Sequence, residues 1–259
     1  MTRIITVLSG KGGVGKTTAI TNLGAAFQSF GKDVLLLDGN VTTPNISLHL
    51  GLAGAKQTLH NVLRSEANIQ DVIYLHPPTK MKVIPGGLSL NDLKSDFNRT
   101  IEDVVIDLIG TTDIILIDAS AGLGEEAKYA IEAGDEVIVV TNPELPAVTD
   151  ALKAVEICRR VGKQPIGIII NKCSNAKYEL KPESISSFLD LPILGCVPED
   201  VSIRKSLNLY TPAVISYPES KAAKEFKNIA AKLAGIDISD SKLSFLHKIT
   251  ALLGGFKTK

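Results

Sequence analysis

The 259-residue chain has no excess of charge of either sign: Lys and Arg together number 28, and so do Asp and Glu. That balance argues against a chain that works mainly as a broadly basic nucleic-acid binder, and against an acidic disordered one. No stretch approaches the roughly 18 apolar residues of a membrane-crossing helix. Residues 1–9 lack the order of a secretory signal, so the expected location is the cytoplasm. The three cysteines, Cys158, Cys173 and Cys196, are too widely spaced for a disulfide framework or a C-x-x-C metal or cluster site. His49, His60, His76 and His247 show no metal-ligand spacing. All seven are read as packing residues. Internal repeats and low-complexity tracts are also lacking. What remains is a chain that is 44% hydrophobic, long enough for one large domain and a short appendage.

Short apolar, β-rich runs occur at 3–9, 33–38, 81–84, 113–118, 136–141, 166–171 and 191–196. Continuous apolar runs of this length suit strands buried on both faces of a parallel sheet. Apolar positions at three- and four-residue spacing predict helices over 16–30, 124–133, 146–161 and 219–233. The alternation predicts an α/β fold, a doubly wound, mostly parallel sheet with helices on both faces. Ligands of such sheets sit at the carboxyl ends of the strands.

The first run leads into Gly10, Lys11, Gly12, Gly13, Val14, Gly15, Lys16, Thr17 and Thr18, which fit G-x-x-x-x-G-K-[ST] from Gly10 to Thr17. Glycines let backbone N–H groups turn inward around a phosphate chain, and the following helix N-terminus adds partial positive charge. Lys16 reaches β- and γ-phosphates in such a loop, and the Thr17 hydroxyl holds Mg²⁺. Asp118 ends the fourth run, after four apolar residues. A carboxylate there is costly to bury without a partner, and beside a phosphate site the natural partner is Mg²⁺.

The second lysine, Lys11, makes the loop resemble the deviant Walker A motif of the MinD/ParA ATPase family. That resemblance implies that Lys11 reaches across an ATP-bridged dimer to the partner's nucleotide. Asp118-Ala-Ser-Ala-Gly122 is similar to the family's D-x-P-A-G switch, with Ser120 where proline is common. Asp38, at the end of the second run, matches the first carboxylate of the family's D-x-D switch and lies, by resemblance, near the metal water. The family's second carboxylate helps position the attacking water, and here that position is Asn40. An amide hydrogen-bonds but is a poor base, so binding is expected to be intact and the rate of hydrolysis altered. The continuation from Pro44 to Gly51 resembles certain archaeal members. By the same resemblance Asn171 and the loop Pro198, Glu199 and Asp200 hold adenine. Thr141-Asn-Pro-Glu144 resembles the MinD branch, and the helix near 146–154 is implied to lie by the dimer or partner surface.

After Leu233 the sequence reads as a linker over 236–241 and an amphipathic helix over 242–256. Leu243, Phe245, Leu246, Ile249, Leu252, Leu253 and Phe256 fall on or beside one face. Such a helix lies in a membrane interface with lysines toward anionic headgroups. Residues 241–259 hold Lys242, Lys248, Lys257 and Lys259 and no acid, so the neutral total hides a basic tail on an acidic body. The pattern is similar to the MinD branch's membrane-targeting tail. The implied whole is an ATPase domain, 1–235, that dimerises with ATP and Mg²⁺ and associates reversibly with the inner face of the cell membrane. An activating or cargo protein completes this positioning role, in cell division or polar organisation. Three rivals remain. A DNA-bound partitioning ATPase draws on Lys221, Lys224, Lys227 and Lys232, which spread around one helix and are interrupted by Glu225. An adaptor that binds ATP without hydrolysing it draws on Asn40. An iron–sulfur carrier lacks the cysteine spacing.

Overall fold

The computed structural model describes residues 1–89, 92 and 97–237. The expected helix over 242–256 and all but two residues of the linker lie outside the described residues. Among those described, the strands are β1 (Arg3–Ser9), β2 (Val34–Leu37), β3 (Tyr74–Leu75), β4 (Lys82–Ile84), β5 (Ile114–Ala121), β6 (Glu136–Thr141), β7 (Gly167–Cys173) and β8 (Ile193–Pro198). The helices are α1 (Lys16–Ser29), α2 (Ile46–His49), α3 (Leu59–Leu63), α4 (Ile101–Leu108), α5 (Glu125–Ala133), α6 (Leu145–Arg160), α7 (Pro182–Leu189), α8 (Val201–Asn208), α9 (Ala213–Ser216) and α10 (Lys221–Ala234). One sheet runs in the order β3-β4-β2-β5-β1-β6-β7-β8. Its pairs are parallel except β3 with β4. The expected doubly wound fold is the observed one.

Apolar residues on both faces of the strands explain the two-sided layering. In β1, Ile5 and Val7 join a core with α1 and α10, while Ile4 and Leu8 join one with α4 and α5. A third cluster packs Val148, Ala151 and Val155 of α6 and Ile185 and Leu189 of α7 onto Val139, Ile168 and Ile170. Thr6 interrupts the apolar run, and its hydroxyl donates to Ala130 O at 2.7 Å. No helix among the described residues is long and apolar enough to cross a membrane.

Three strands run further than the apolar runs. β5 continues past Asp118 to Ala121, pairing Ala121 with Ser9, and β7 and β8 reach Cys173 and Pro198. The β5 and β7 extensions carry polar side chains, Ser120 and Lys172, that reach Asn40 and Gly13 in neighbouring loops. α10 ends at the opposite edge of the sheet. There Arg3 donates from Nη1 to Leu233 O at 2.5 Å and pairs with Glu136 through Nε and Nη2, at 2.5 and 2.7 Å.

Candidate nucleotide site

The glycine loop forms where β1 passes into α1. Gly13 and Gly15 take left-handed backbone angles, φ 81° and 94°, which a Cβ would strain. Gly15 also makes room: a Cβ there would lie 2.2 Å from Asn171 Nδ2. That amide donates to Val14 O at 2.8 Å, and Lys172 Nζ donates to Gly13 O at 2.6 Å. The end of β7 therefore props the loop from the side. Gly10 lies against α6, where a Cβ would meet Asp150 O at 1.9 Å.

Below the loop, Lys16 Nζ lies 2.5 Å from Asp118 Oδ1, and Thr17 Oγ1 donates to Asp118 Oδ2 at 2.7 Å. Lys16 and Asp118 are both buried. Asp38 is fully buried beside Asp118. Its Oδ2 accepts from the backbone of Asn45 and Ile46 at 3.0 and 2.9 Å, while Oδ1 has no partner. Burial, reinforced by the Asp118 charge, pushes the Asp38 carboxyl up to about 8. An orphaned carboxylate oxygen beside a second carboxylate and a hydroxyl is a hard-oxygen donor set that fits a divalent cation. Among the described residues no group of three or more His, Cys, Asp or Glu is placed to hold a metal. Mg²⁺ is held by one or two carboxylates together with phosphate oxygens and water.

Above these groups opens a cavity of about 480 Å³. Gly12, Gly13, Gly15, Lys16, Thr17 and Thr18 line one wall, Asn40 another, and Asn171, Pro198, Glu199 and Asp200 a third. Five of the expected residues lie off its surface for distinct reasons. Val14 points into the core, Gly10 packs on α6, and Asp38 and Asp118 lie beneath. Lys11 is exposed. Two others carry structural duties. One Asn171 Nδ2 proton goes to Val14 O, leaving the other and Oδ1 for a ligand. Asp200 caps α8 through Ser202 N at 2.9 Å and accepts from Ala222 N at 3.3 Å.

The cavity also includes His49, Thr43 and Asn45 from the segment after β2, Lys172, and Ile203, Arg204 and Leu207 from α8. The sequence assigns His49 to packing, yet it lines the cavity. Its ring holds a buried Nδ1 without a partner, and burial lowers its basicity. The usable signal was its place within the segment from Pro44 to Gly51 that follows Asp38.

A family model described as NUBPL iron-transfer P-loop NTPase, of the ParA type, matches residues 1–234. An uncharacterized ATP-binding protein of Methanocaldococcus jannaschii is 41% identical over 255 residues, covering 97% of this chain and 96% of its own length. The septum site-determining protein MinD of Synechocystis is 35% identical over 248 residues, covering 92% and 91%. Among solved structures, MinD of Pyrococcus horikoshii complexed with Mg-ADP superposes with a TM-score of 0.86 at 38% identity, covering 90% of this chain and 96% of that one.

Proposed function

The chain belongs to the ParA family of P-loop NTPases, and on that premise we propose that it is an ATP-binding and ATP-hydrolysing switch that dimerises with nucleotide and associates reversibly with an anionic membrane surface. The observation that carries this reading is the Lys16–Asp118–Thr17 cluster under the loop, with Asp38 Oδ1 unpartnered beside it. Thr17, Asp38 and Asp118 would hold Mg²⁺, which when bound neutralises charge on the phosphates. Lys16 turns from Asp118 to the β- and γ-phosphates, so both charges keep partners. The loop N–H groups and the α1 N-terminus bind the phosphate chain. Asn171, Pro198, Glu199 and Asp200 frame the adenine. Lys11 is exposed at the loop, and a second copy of the chain is its natural counterpart.

Membrane association rests on the sequence of residues 242–256 and on where α10 ends. Arg3 pins that end to the amino edge of the sheet, away from the nucleotide cavity. A single amphipathic helix anchors weakly, and two on one dimer gain on the order of 10²–10⁴ in avidity. ATP thereby controls membrane residence. The α10 lysines favour DNA less: Lys224 pairs with Glu219 at 2.9 Å and Lys232 donates to Ile193 O at 3.0 Å.

The test is co-sedimentation with vesicles containing phosphatidylglycerol, in Mg-ATP or Mg-ADP. The full chain is expected to pellet in Mg-ATP and stay in solution in Mg-ADP. A chain ending at Asp240 is expected to stay in solution in both. Pelleting that ignores nucleotide, or survives loss of the tail, contradicts the membrane switch.

A further inference from the structure

The loop after β2, residues 39–45, contains no acidic side chain. Hydrolysis of a phosphoanhydride needs a group that orients the attacking water, and Asn40 is the residue of that loop that lines the cavity from within two positions of Asp38. Its amide is already anchored. Nδ2 donates to Thr43 O at 2.7 Å and to Thr43 Oγ1 at 3.1 Å, and Oδ1 accepts from Thr43 N at 3.1 Å. A carboxylate at this position would lose both donations and face the Thr43 carbonyl instead.

A carboxylate does stand close by, on α5. Glu126 Oε2 accepts from Ser120 Oγ at 2.5 Å, and its Oε1 accepts from Thr42 Oγ1. Ser120 Oγ also lies 3.2 Å from Asn40 Oδ1. A serine has one proton to give, and the shorter contact to the charged acceptor takes it. Asn40 Oδ1 then keeps the bond from Thr43 N and a contact to Thr43 Oγ1 at 3.2 Å, and its second lone pair can still accept a proton from water. Glu126 meanwhile ties together the loop after β2, through Thr42, and the end of β5, through Ser120. Asn40 and Ser120 are both buried.

We infer that Glu126 is a positioning residue for ATP hydrolysis: it holds the loop of Asn40 through Thr42 and takes the Ser120 proton, which leaves the Asn40 amide oxygen to the attacking water. The inference rests on the hydrolytic reading above. It also assigns Asn40 a sense. With Glu126 in place, an aspartate at position 40 would set two carboxylates about one hydroxyl, and like charges at that range oppose each other.

The test measures turnover at saturating Mg-ATP, ATP affinity by a fluorescent analogue, and amide exchange of the protein alone. Glu126→Gln is expected to lower kcat about tenfold or more with affinity within about twofold, the loss of a charge-assisted hydrogen bond from the hydrolytic step alone. It is also expected to speed exchange over residues 40–46. Asn40→Asp alone is expected to be no faster than the parent chain, and in the Glu126→Gln background it is expected to restore most of the lost turnover. A purely structural role for Glu126 would not give that rescue. Parental kcat in Glu126→Gln, or activation by Asn40→Asp with Glu126 present, overturns the inference. ATP binding without turnover in the parent chain overturns it too and leaves the nucleotide site standing, whereas absence of ATP binding brings down the site itself.

Discussion

The ion pair of Lys16 with Asp118 carries opposite duties in the fold and in ligand binding. Both groups are buried, so removing one strands the other's charge. Lys16→Met is therefore expected to abolish ATP binding and also to cost about 3 kcal/mol of stability without any ligand. Lys16→Met with Asp118→Asn should recover most of that stability and none of the binding. Urea unfolding and a nucleotide titration on the two variants check both halves. Equal stability of Lys16→Met and the parent chain would mean that the pair contributes little to the fold. These residues were legible because their motif is local: glycines, lysine and threonine follow one strand, and each carboxylate ends another. Glu126 and Arg204 were not, because what gives them meaning is a loop or a cavity contributed by distant sequence. In the sequence Ser120 is only the residue standing where proline is common, and its partners Asn40 and Glu126 appear only in three dimensions.

Among the elements, local pattern and tertiary context divide the outcome. β6 spans the very residues expected, since Glu136–Thr141 is a clean apolar run in the interior of the sheet. α4 was missed although its signals are present. Ile101, Val104, Val105 and Leu108 are buried at helical spacing, and Thr100 caps Asp103 N. β3 is two residues long and antiparallel, too short for periodicity to register. Asp200, expected beside adenine, is also the N-cap of α8, a duty set by the helix that follows it. Element packing also fixes which glycines matter. Gly10→Ala would drive a Cβ into the α6 backbone at Asp150 and Ala151, so the glycine loop or α6 must shift. The expected cost is about 1–3 kcal/mol together with weakened ATP binding. Gly12→Ala meets nothing within 4 Å and should unfold within about 0.5 kcal/mol of the parent chain. Thermal melts and the same nucleotide titration separate the two, and equal stability would mean that α6 does not brace the loop.

At the scale of the whole molecule, the polarity of the sheet sets the nucleotide cavity apart from the end of α10. The carboxyl ends of β1, β2, β5, β7 and β8 surround the cavity, and the amino edge holds the end of α10 from which residues 238–259 continue. The acidic body and basic tail implied by the charge count match that division. In the proposed switch, nucleotide at one end governs a tail at the other through dimerisation, and the exposed Lys11 is the residue proposed to join the copies. The central claim is therefore ATP-dependent dimerisation. The direct measurement is the sedimentation-equilibrium mass of the chain in Mg-ATP and in Mg-ADP, beside Lys11→Ala. The account predicts a dimer in Mg-ATP, a monomer in Mg-ADP, and a Lys11→Ala protein that still binds ATP yet remains monomeric. A parent chain of the same mass in both nucleotides, or a Lys11→Ala dimer as stable as the parent's, would contradict it.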